Sequence, residues 1–217
     1  MGRGDAAVLC LKLRDKWLMS YQAQMTQVLL GSTACYMDST ILMEQDVSSS
    51  VADLLLKGCL HCVQQCEDLV DSFGADEYAN SYEGSSSMGS HVRHILDRFQ
   101  SLFAGLPDLS VDYDARKRDK AIESSTDSAR FAIALVSWRI RELDLVKLSG
   151  QSISVRETVY HRAAPIEISS TLERELMGLI THSIHHLAII SMLAKQCGHP
   201  MDPSFGKAPS TLAYGRS

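Results

Sequence analysis

One stretch decides the fold, and it reads Ser170-Thr-Leu-Glu-Arg-Glu-Leu-Met-Gly-Leu-Ile-Thr-His182-Ser-Ile-His185-His186-Leu-Ala-Ile-Ile-Ser-Met-Leu193. Its apolar residues recur at intervals of three and four, which is the spacing of the buried face of a bundle helix. A capping-box pattern, Ser170 followed by Glu173, predicts where this helix begins, and Gly198 fits its end. The stretch therefore predicts one long helix.

Histidines interrupt the apolar face of this helix. At about 100° per residue, His182 lies roughly 40° from His186 on the same face, whereas His185 is turned about 100° away from His186. An inward imidazole needs a hydrogen-bond partner or a metal, because an unsatisfied buried polar group costs about 1–3 kcal/mol. Two histidines spaced i,i+4 on one face are a common metal-binding arrangement, and hydrogen-bonded core histidines are the alternative. A third ligand elsewhere in the chain would favour the metal site over hydrogen-bonded core histidines.

Composition limits the class of protein. The chain has 217 residues and a formal charge of −5, which predicts one domain, with an extension over residues 1–45, and excludes nucleic acid or an anionic membrane as the main partner. We expect no transmembrane span and no signal peptide, because Asp5, Lys12 and Arg14 break the signal pattern. Six cysteines without a secretion signal suggest free thiols in the cytoplasm.

Three further helices are predicted before the histidine-bearing one. The first follows a serine cap, with apolar positions at Val51, Leu55, Cys59, Cys62, Cys66, Leu69 and Phe73. Its three cysteines continue the apolar face, so we interpret them as core residues rather than zinc ligands. The second helix has its apolar face at Met88, Val92, Ile95, Phe99 and Leu102, and the third at Ala129, Ile133, Val136, Ile140 and Leu143.

Two histidines lie on the flank of the second helix. Periodicity slightly favours His91 as the more inward one, but either His91 or His94 is placed to supply the third ligand. A charged segment follows the helix and includes Arg116 and Arg118. It is interpreted as a solvated loop whose ion pairs contribute little, or alternatively as a rim that binds an anion.

The helical period stops between Ser149 and Ser169. Ile153, Val155 and Glu157 alternate as in a strand that Ile166 and Ile168 would pair with, which predicts a short β-ribbon before the last helix. After Gly198 the prolines recur, so we expect an extended tail without helix, which is either pinned to the bundle by Phe205 and Tyr214 or disordered.

These motifs resemble those of the DinB-like superfamily, which includes bacillithiol-transferase-like proteins. The resemblance rests on four segments and spans about residues 49–214; the segments are Ser87 to Phe99, Tyr113 to Glu123, Ser170 to His186 and Phe205 to Thr211. It implies an all-α fold, a four-helix bundle over residues 46–217. At Arg98 this chain departs from relatives that often carry a further histidine there.

The resemblance also implies a metal site. In that superfamily a His-x3-His pair from the last helix and one histidine from the second helix commonly hold a divalent metal. His182 and His186 match the pair, and His94, three residues ahead of Asp97, matches the third ligand. His91 remains the alternate ligand, since periodicity favours it. Some members are thiol-dependent transferases or isomerases.

Three classes of function remain open. Three neutral imidazoles suit zinc, nickel, copper or ferrous iron and leave a coordination position free, so the first class is a metal-dependent thiol S-transferase or hydrolase acting on a small molecule. Arg116 or Arg118 would orient its carboxylate, and a low-molecular-weight thiol would be a second cofactor. The others are a non-catalytic metal-sensing bundle and an interaction protein. Bundles of this kind often pair through an exposed helix face, so a homodimer is a further prediction.

Other chemistries lack their motifs. A di-iron carboxylate bundle takes a Glu-x-x-His pair from each of two helices, and the chain contains none. The His-Glu-x-x-His of zinc proteases and the Gly-x-Ser-x-Gly of serine hydrolases are also missing. The sequence therefore directs attention to the histidines.

Overall fold

The computed structural model describes residues 50–81 and 84–215. In chain order, the helices are α1 (Val51–Ser72), α2 (Ala75–Ala79), α3 (Met88–Gly105), α4 (Lys120–Ser124), α5 (Thr126–Arg141), α6 (Leu145–Leu148), α7 (Leu172–Gln196) and α8 (Pro209–Tyr214). The strands are β1 (Ser110–Asp112), β2 (Ser152–Glu157) and β3 (Ile166–Thr171). The extension predicted over residues 1–45 lies outside the described residues.

The four long helices form the bundle, which confirms the predicted fold class. The helix pairs in contact are α1 with α5, α5 with α3, α3 with α7, and α7 with α1. Their apolar faces meet in one core, because each helix presents apolar residues at intervals of three and four. On α7 the predicted face is buried, at Leu172, Leu176, Leu179, Ile190 and Leu193. The contact between α3 and α7 is the one that positions the candidate site.

Serine and threonine caps begin each long helix. The backbone N–H of Asp53 donates to Ser50 Oγ, and the N–H of Ser90 donates to Ser87 Oγ, each with a donor–acceptor distance of 3.1 Å. On α7 the cap is Thr171, whose Oγ1 accepts from the N–H of Arg174, so the prediction that Ser170 caps this helix is wrong. Strand β3 continues to Thr171, which leaves Ser170 inside the strand.

The three cysteines of α1 are core residues, as predicted. Cys59, Cys62 and Cys66 are all at most 1% exposed. Burial raises the pKa of Cys59 and Cys62 to about 12, and it raises the pKa of Cys66 as well. A buried thiol in apolar surroundings is a poor nucleophile and a poor metal ligand because the thiolate is disfavoured. The first apolar position, Val51, differs from the prediction, because 69% of it is exposed.

A small sheet packs beside the bundle. Strands β2 and β3 pair antiparallel with Val155 opposite Ile168 and Glu157 opposite Ile166, which confirms the predicted ribbon. A third strand, β1, pairs parallel with β2 and places Val111 opposite Val155. The sequence does not predict β1, because three residues are too few to show a strand period.

The C-terminal segment is partly helical, so the prediction of a tail without helix is wrong for α8. Pro209 occupies the first turn of α8, where its missing N–H costs nothing. Phe205 is buried and holds this segment on the bundle, as expected, whereas Tyr214 is 84% exposed.

Helix α7 is long and apolar enough to cross a membrane by length and composition alone. Core helices of bundles share that composition, since they are apolar on the face that packs. Eight residues of α7 are buried within this structure. One such helix is weak evidence of a membrane span, and α7 packs here against α1 and α3.

Candidate metal centre

Three imidazoles converge where α3 and α7 pack together. His94 comes from α3, and His182 and His186 come from successive turns of α7. The ring centroids are 4.9 Å apart for His94 and His182, 4.7 Å for His94 and His186, and 4.6 Å for His182 and His186. One nitrogen of each ring lies within 4.8 Å of the others, so this group could hold a metal ion.

The closest nitrogens suit a shared metal ion. His182 Nε2 and His94 Nε2 are 3.1 Å apart. Two imidazole nitrogens bound to one tetrahedral zinc lie roughly 3.3 Å apart, given Zn–N bonds of about 2.0–2.1 Å. Without a metal, one of these two nitrogens must donate a proton to the other, because neutral imidazole has one donor and one acceptor. The pair therefore fits either a hydrogen bond or a shared ion.

His91 lies beside this group and contacts one of its members. Its Nδ1 is 2.9 Å from Nδ1 of His186, and the ring centroids are 5.2 Å apart. With Nδ1 engaged in this way, Nε2 is the nitrogen that His186 has free for a ligand. Periodicity favoured His91 for the third position, but the structure brings His94 into the group of three. The metal-binding role of each histidine stays a prediction.

The three rings are held in their neutral form. Burial lowers the pKa of His94 and His182 to about 4, with further lowering of His94 by His182 and of His182 by Arg98. Burial, followed by the neighbouring His182, lowers the pKa of His186 to about 3. Only neutral imidazole has a lone pair for a metal. The group is therefore ready to bind a cation at neutral pH without first losing protons.

Comparison with known proteins gives the family of the chain. A model of the DinB family matches residues 47–206. The chain belongs to the DinB family. It is similar in structure to YfiT from Bacillus subtilis, which is described as a probable metal-dependent hydrolase with an unusual four-helix bundle topology. The TM-score is 0.49, the sequence identity is 16%, and the match covers 75% of this chain and 94% of that one. No curated protein matches the sequence.

A network of polar side chains borders the three histidines of this DinB-family protein. Arg98, one turn after His94 on α3, forms an ion pair with Glu157 at the end of β2. Its guanidinium carbon lies 3.8 Å from the centroid of the Tyr113 ring. The Tyr113 hydroxyl donates to Glu175 Oε2 over 2.7 Å. Sequence reasoning missed Glu157, Tyr113 and Glu175, because side chains from β2, the segment after β1 and α7 meet only in the folded chain.

The two arginines predicted to bind substrate occupy different environments. Arg116 is partly buried, its Nη1 lies 3.5 Å from the carbonyl oxygen of Tyr113, and its charge helps to lower the pKa of His94. Its Nε is buried without a hydrogen-bond partner. Arg118 is exposed and has a positive φ of 52°. Of the two, Arg116 is therefore the one that lies close enough to His94 to affect its pKa. The substrate-binding roles of Arg116 and Arg118 stay predictions.

Proposed function

We propose that this DinB-family protein is a metal-dependent enzyme that acts on a small molecule through a three-histidine centre. One observation carries the proposal, the convergence of His94, His182 and His186 with their nitrogens within 4.8 Å. A core that needed only packing would place leucine at these positions. Three neutral imidazoles instead suit zinc, nickel, copper or ferrous iron and leave at least one coordination position for a ligand.

The ion would supply the reactive chemistry. A divalent metal acts as a Lewis acid and lowers the pKa of a bound water or thiol, which provides a nucleophile at neutral pH. The protein would supply the ligands and their orientation. His91 holds the ring of His186, because their Nδ1 atoms are 2.9 Å apart. Arg116 or Arg118 would pair with an anionic group of the substrate.

The reaction we favour is transfer of a low-molecular-weight thiol to an electrophilic small molecule, and hydrolysis is the second candidate. The cysteines of α1 cannot act as the nucleophile, since they are buried and their thiols have a raised pKa. We therefore propose a low-molecular-weight thiol from solution, rather than one of these three cysteines, as the nucleophile. We expect such a reaction in the cytoplasm, where low-molecular-weight thiols are kept reduced.

Metal analysis tests the first part of this proposal. Protein purified without an affinity tag should contain about one equivalent of a divalent metal by plasma mass spectrometry, since one site is proposed. His94→Ala, His182→Ala and His186→Ala should each lose it, whereas the exposed His61→Ala should keep it. Absence of stoichiometric metal after reconstitution with zinc, nickel and ferrous iron would favour an interaction protein.

Turnover tests the second part. Glutathione with 1-chloro-2,4-dinitrobenzene probes thiol transfer, and 4-nitrophenyl acetate without thiol probes hydrolysis. Activity that His182→Ala abolishes and His61→Ala retains would support an enzyme, and the substrate that is consumed would identify the reaction. A loaded metal site that turns over neither probe would favour the non-catalytic, metal-sensing alternative.

A further inference from the structure

We propose that a cleft beside the three histidines binds the anionic end of a small, largely apolar carboxylate. The cleft lies between α3, residues 115–117 and α5, has a volume of 260 Å³, and is lined by Asp97, Phe103, Arg116, Lys117, Leu135 and Arg139 among others. Asp97, one of its lining residues, comes three residues after His94 on α3, a rise of about 4.5 Å along the helix axis. Calling the ligand a substrate rests on the proposed function. Binding of the ligand in the cleft does not require a metal.

Positive charge dominates the lining of the cleft. Arg116, Lys117 and Arg139 bring three cationic groups, against the single carboxylate of Asp97. That carboxylate is already paired, since Arg93 Nη1 lies 2.6 Å from Asp97 Oδ2. The chain as a whole carries a formal charge of −5, so a locally positive cleft is not a consequence of overall composition. An anion is the ligand that this charge distribution favours.

The cationic groups also have unused hydrogen-bonding capacity. Arg116 Nε is buried and lacks a hydrogen-bond partner, which is unfavourable for a polar group. Within the part of the chain that the structure describes, Lys117 and Arg139 form no ion pair with an acidic residue. A carboxylate accepts several hydrogen bonds and matches the planar donor groups of arginine. Such a ligand would give Lys117 and Arg139 an anionic partner.

An apolar wall faces these charges. Phe103 and Val136 are buried side chains that line the cleft, and Leu135 lines it while remaining 38% exposed. Inorganic phosphate or a nucleic acid backbone would leave this surface uncovered. A carboxylate with an aryl or short alkyl body would cover it and remove apolar surface from water. The volume of 260 Å³ falls just below the range of drug-sized pockets, which favours a small ligand.

Titration with 4-phenylbutyrate tests this inference directly. Isothermal titration calorimetry should show binding in about the millimolar range, as expected for a ligand of this size. The uncharged analogue 4-phenyl-1-butanol should bind at least about tenfold more weakly, because it lacks the charge-assisted hydrogen bonds. Added salt should weaken binding of the acid, since the cleft is open to solvent.

Variants locate the binding site. Arg116→Gln and Arg139→Gln should each weaken binding of 4-phenylbutyrate by about tenfold. Arg141→Gln is the matched control, because Arg141 is an exposed arginine of the same helix, α5, and does not line the cleft. If Arg116→Gln melts at a lower temperature than the unmodified protein, the test rests on Arg139→Gln. Arg139 is exposed, so its replacement should not destabilise the fold.

The outcomes separate this inference from the metal proposal. Binding that persists in His186→Ala, which should lose the metal, supports a site in the cleft. Equal binding of the acid and the alcohol, or equal loss in Arg139→Gln and Arg141→Gln, would overturn the inference. A protein without metal that still binds 4-phenylbutyrate through Arg139 would refute only the proposed function.

Discussion

His91 and His186 meet through the same ring nitrogen, with Nδ1 of one 2.9 Å from Nδ1 of the other. Only one of these nitrogens can carry the shared proton when both rings are neutral. If His186 binds a metal through Nε2, its Nδ1 carries the proton and donates it to His91. This arrangement has the form of the outer hydrogen bond that commonly orients a metal-binding histidine.

Removing the acceptor on His91 should therefore weaken the metal site. We expect His91→Phe, which keeps a ring of similar size but cannot accept a hydrogen bond, to lower zinc affinity by about 10–100-fold. Competition with a chromophoric chelator measures the affinity. His61→Phe is the control, because His61 is an exposed histidine of α1 that lies outside this group. Unchanged affinity in His91→Phe would show that His186 is oriented without His91.

Acid should destabilise the metal-free protein through the three converging histidines. Their pKa values are about 4, 4 and 3 in the folded chain, below the usual 6.5. Between pH 6.5 and 4 the unfolded chain thus binds more protons, so the free energy of unfolding should fall as the pH falls through this window. Above pH 6.5 these groups should add no pH dependence.

Urea unfolding in EDTA at pH 7, 6 and 5 measures this effect. His182→Gln removes one of the three depressed groups and should give a shallower dependence on pH. His61→Gln, at an exposed histidine that lies outside the group of three, is the matched control. Parallel curves for His182→Gln and the unmodified protein would contradict a buried neutral imidazole at that position.

How much the sequence predicts depends on how local each feature is. The faces of α1, α3, α5 and α7 follow from a period that repeats several times within each helix, so the bundle was predictable. The choice between His91 and His94 was not predictable from the period. Both histidines lie on one turn of α3, and only the packing of α7 against that turn determines which of them joins His182 and His186. Periodicity favoured His91, and the family resemblance identified the histidine that lies in the group.

The network around Arg98 could not be predicted from local sequence patterns. Glu157, Tyr113 and Glu175 come from three separate elements, and no spacing in the sequence connects them. Strand β1 is three residues long, too short to produce a pattern of its own. The cap of α7 was misplaced by one residue because Ser170 is a better intrinsic cap than Thr171 and has the capping-box spacing to Glu173, whereas β3 extends through Thr171.

Buried cysteines should resist alkylation in the folded protein. At pH 8, iodoacetamide should modify the partly exposed Cys197 well before Cys59, Cys62 and Cys66, because burial raises the pKa of those three thiols and blocks access. Peptide mass mapping over time measures the modification at each site. In 6 M guanidinium, roughly enough to unfold most domains, all four should react at similar rates. Fast labelling of Cys66 in the folded state would contradict the core assignment.

The hydroxyl of Tyr113 should contribute to stability. Tyr113 is 1% exposed, and its hydroxyl donates to Glu175 Oε2 over 2.7 Å. Tyr113→Phe should lower the free energy of unfolding by about 1–3 kcal/mol, since a buried hydrogen bond to a charged group is lost. Tyr160→Phe, at a tyrosine that is 55% exposed, should change it by less than about 0.5 kcal/mol. Urea unfolding measures both, and equal effects would show that the hydrogen bond is not stabilising.

Gly206 should be the least replaceable of the glycines with positive φ. Its φ is 68°, its N–H donates to Gln65 Oε1 over 2.7 Å, and an added Cβ would lie 2.7 Å from the backbone nitrogen of Ala188. Gly150 has a similar φ of 74°, but nothing lies within 4 Å of a Cβ placed there. Both alanine variants share the cost of a left-handed backbone, about 1–2 kcal/mol, and only Gly206→Ala adds a collision with the backbone of α7.

The difference between the two variants isolates that collision. We expect Gly206→Ala to lower the free energy of unfolding by about 1–3 kcal/mol more than Gly150→Ala, as overpacking against a rigid helix does. Urea unfolding of both variants at pH 7 gives the comparison. Because the segment around Gly206 rests on α7 next to Leu187, one residue after His186, Gly206→Ala should also lower zinc affinity, and Gly150→Ala should not. Equal stability of the two variants would mean that this segment does not pack against α7 in solution.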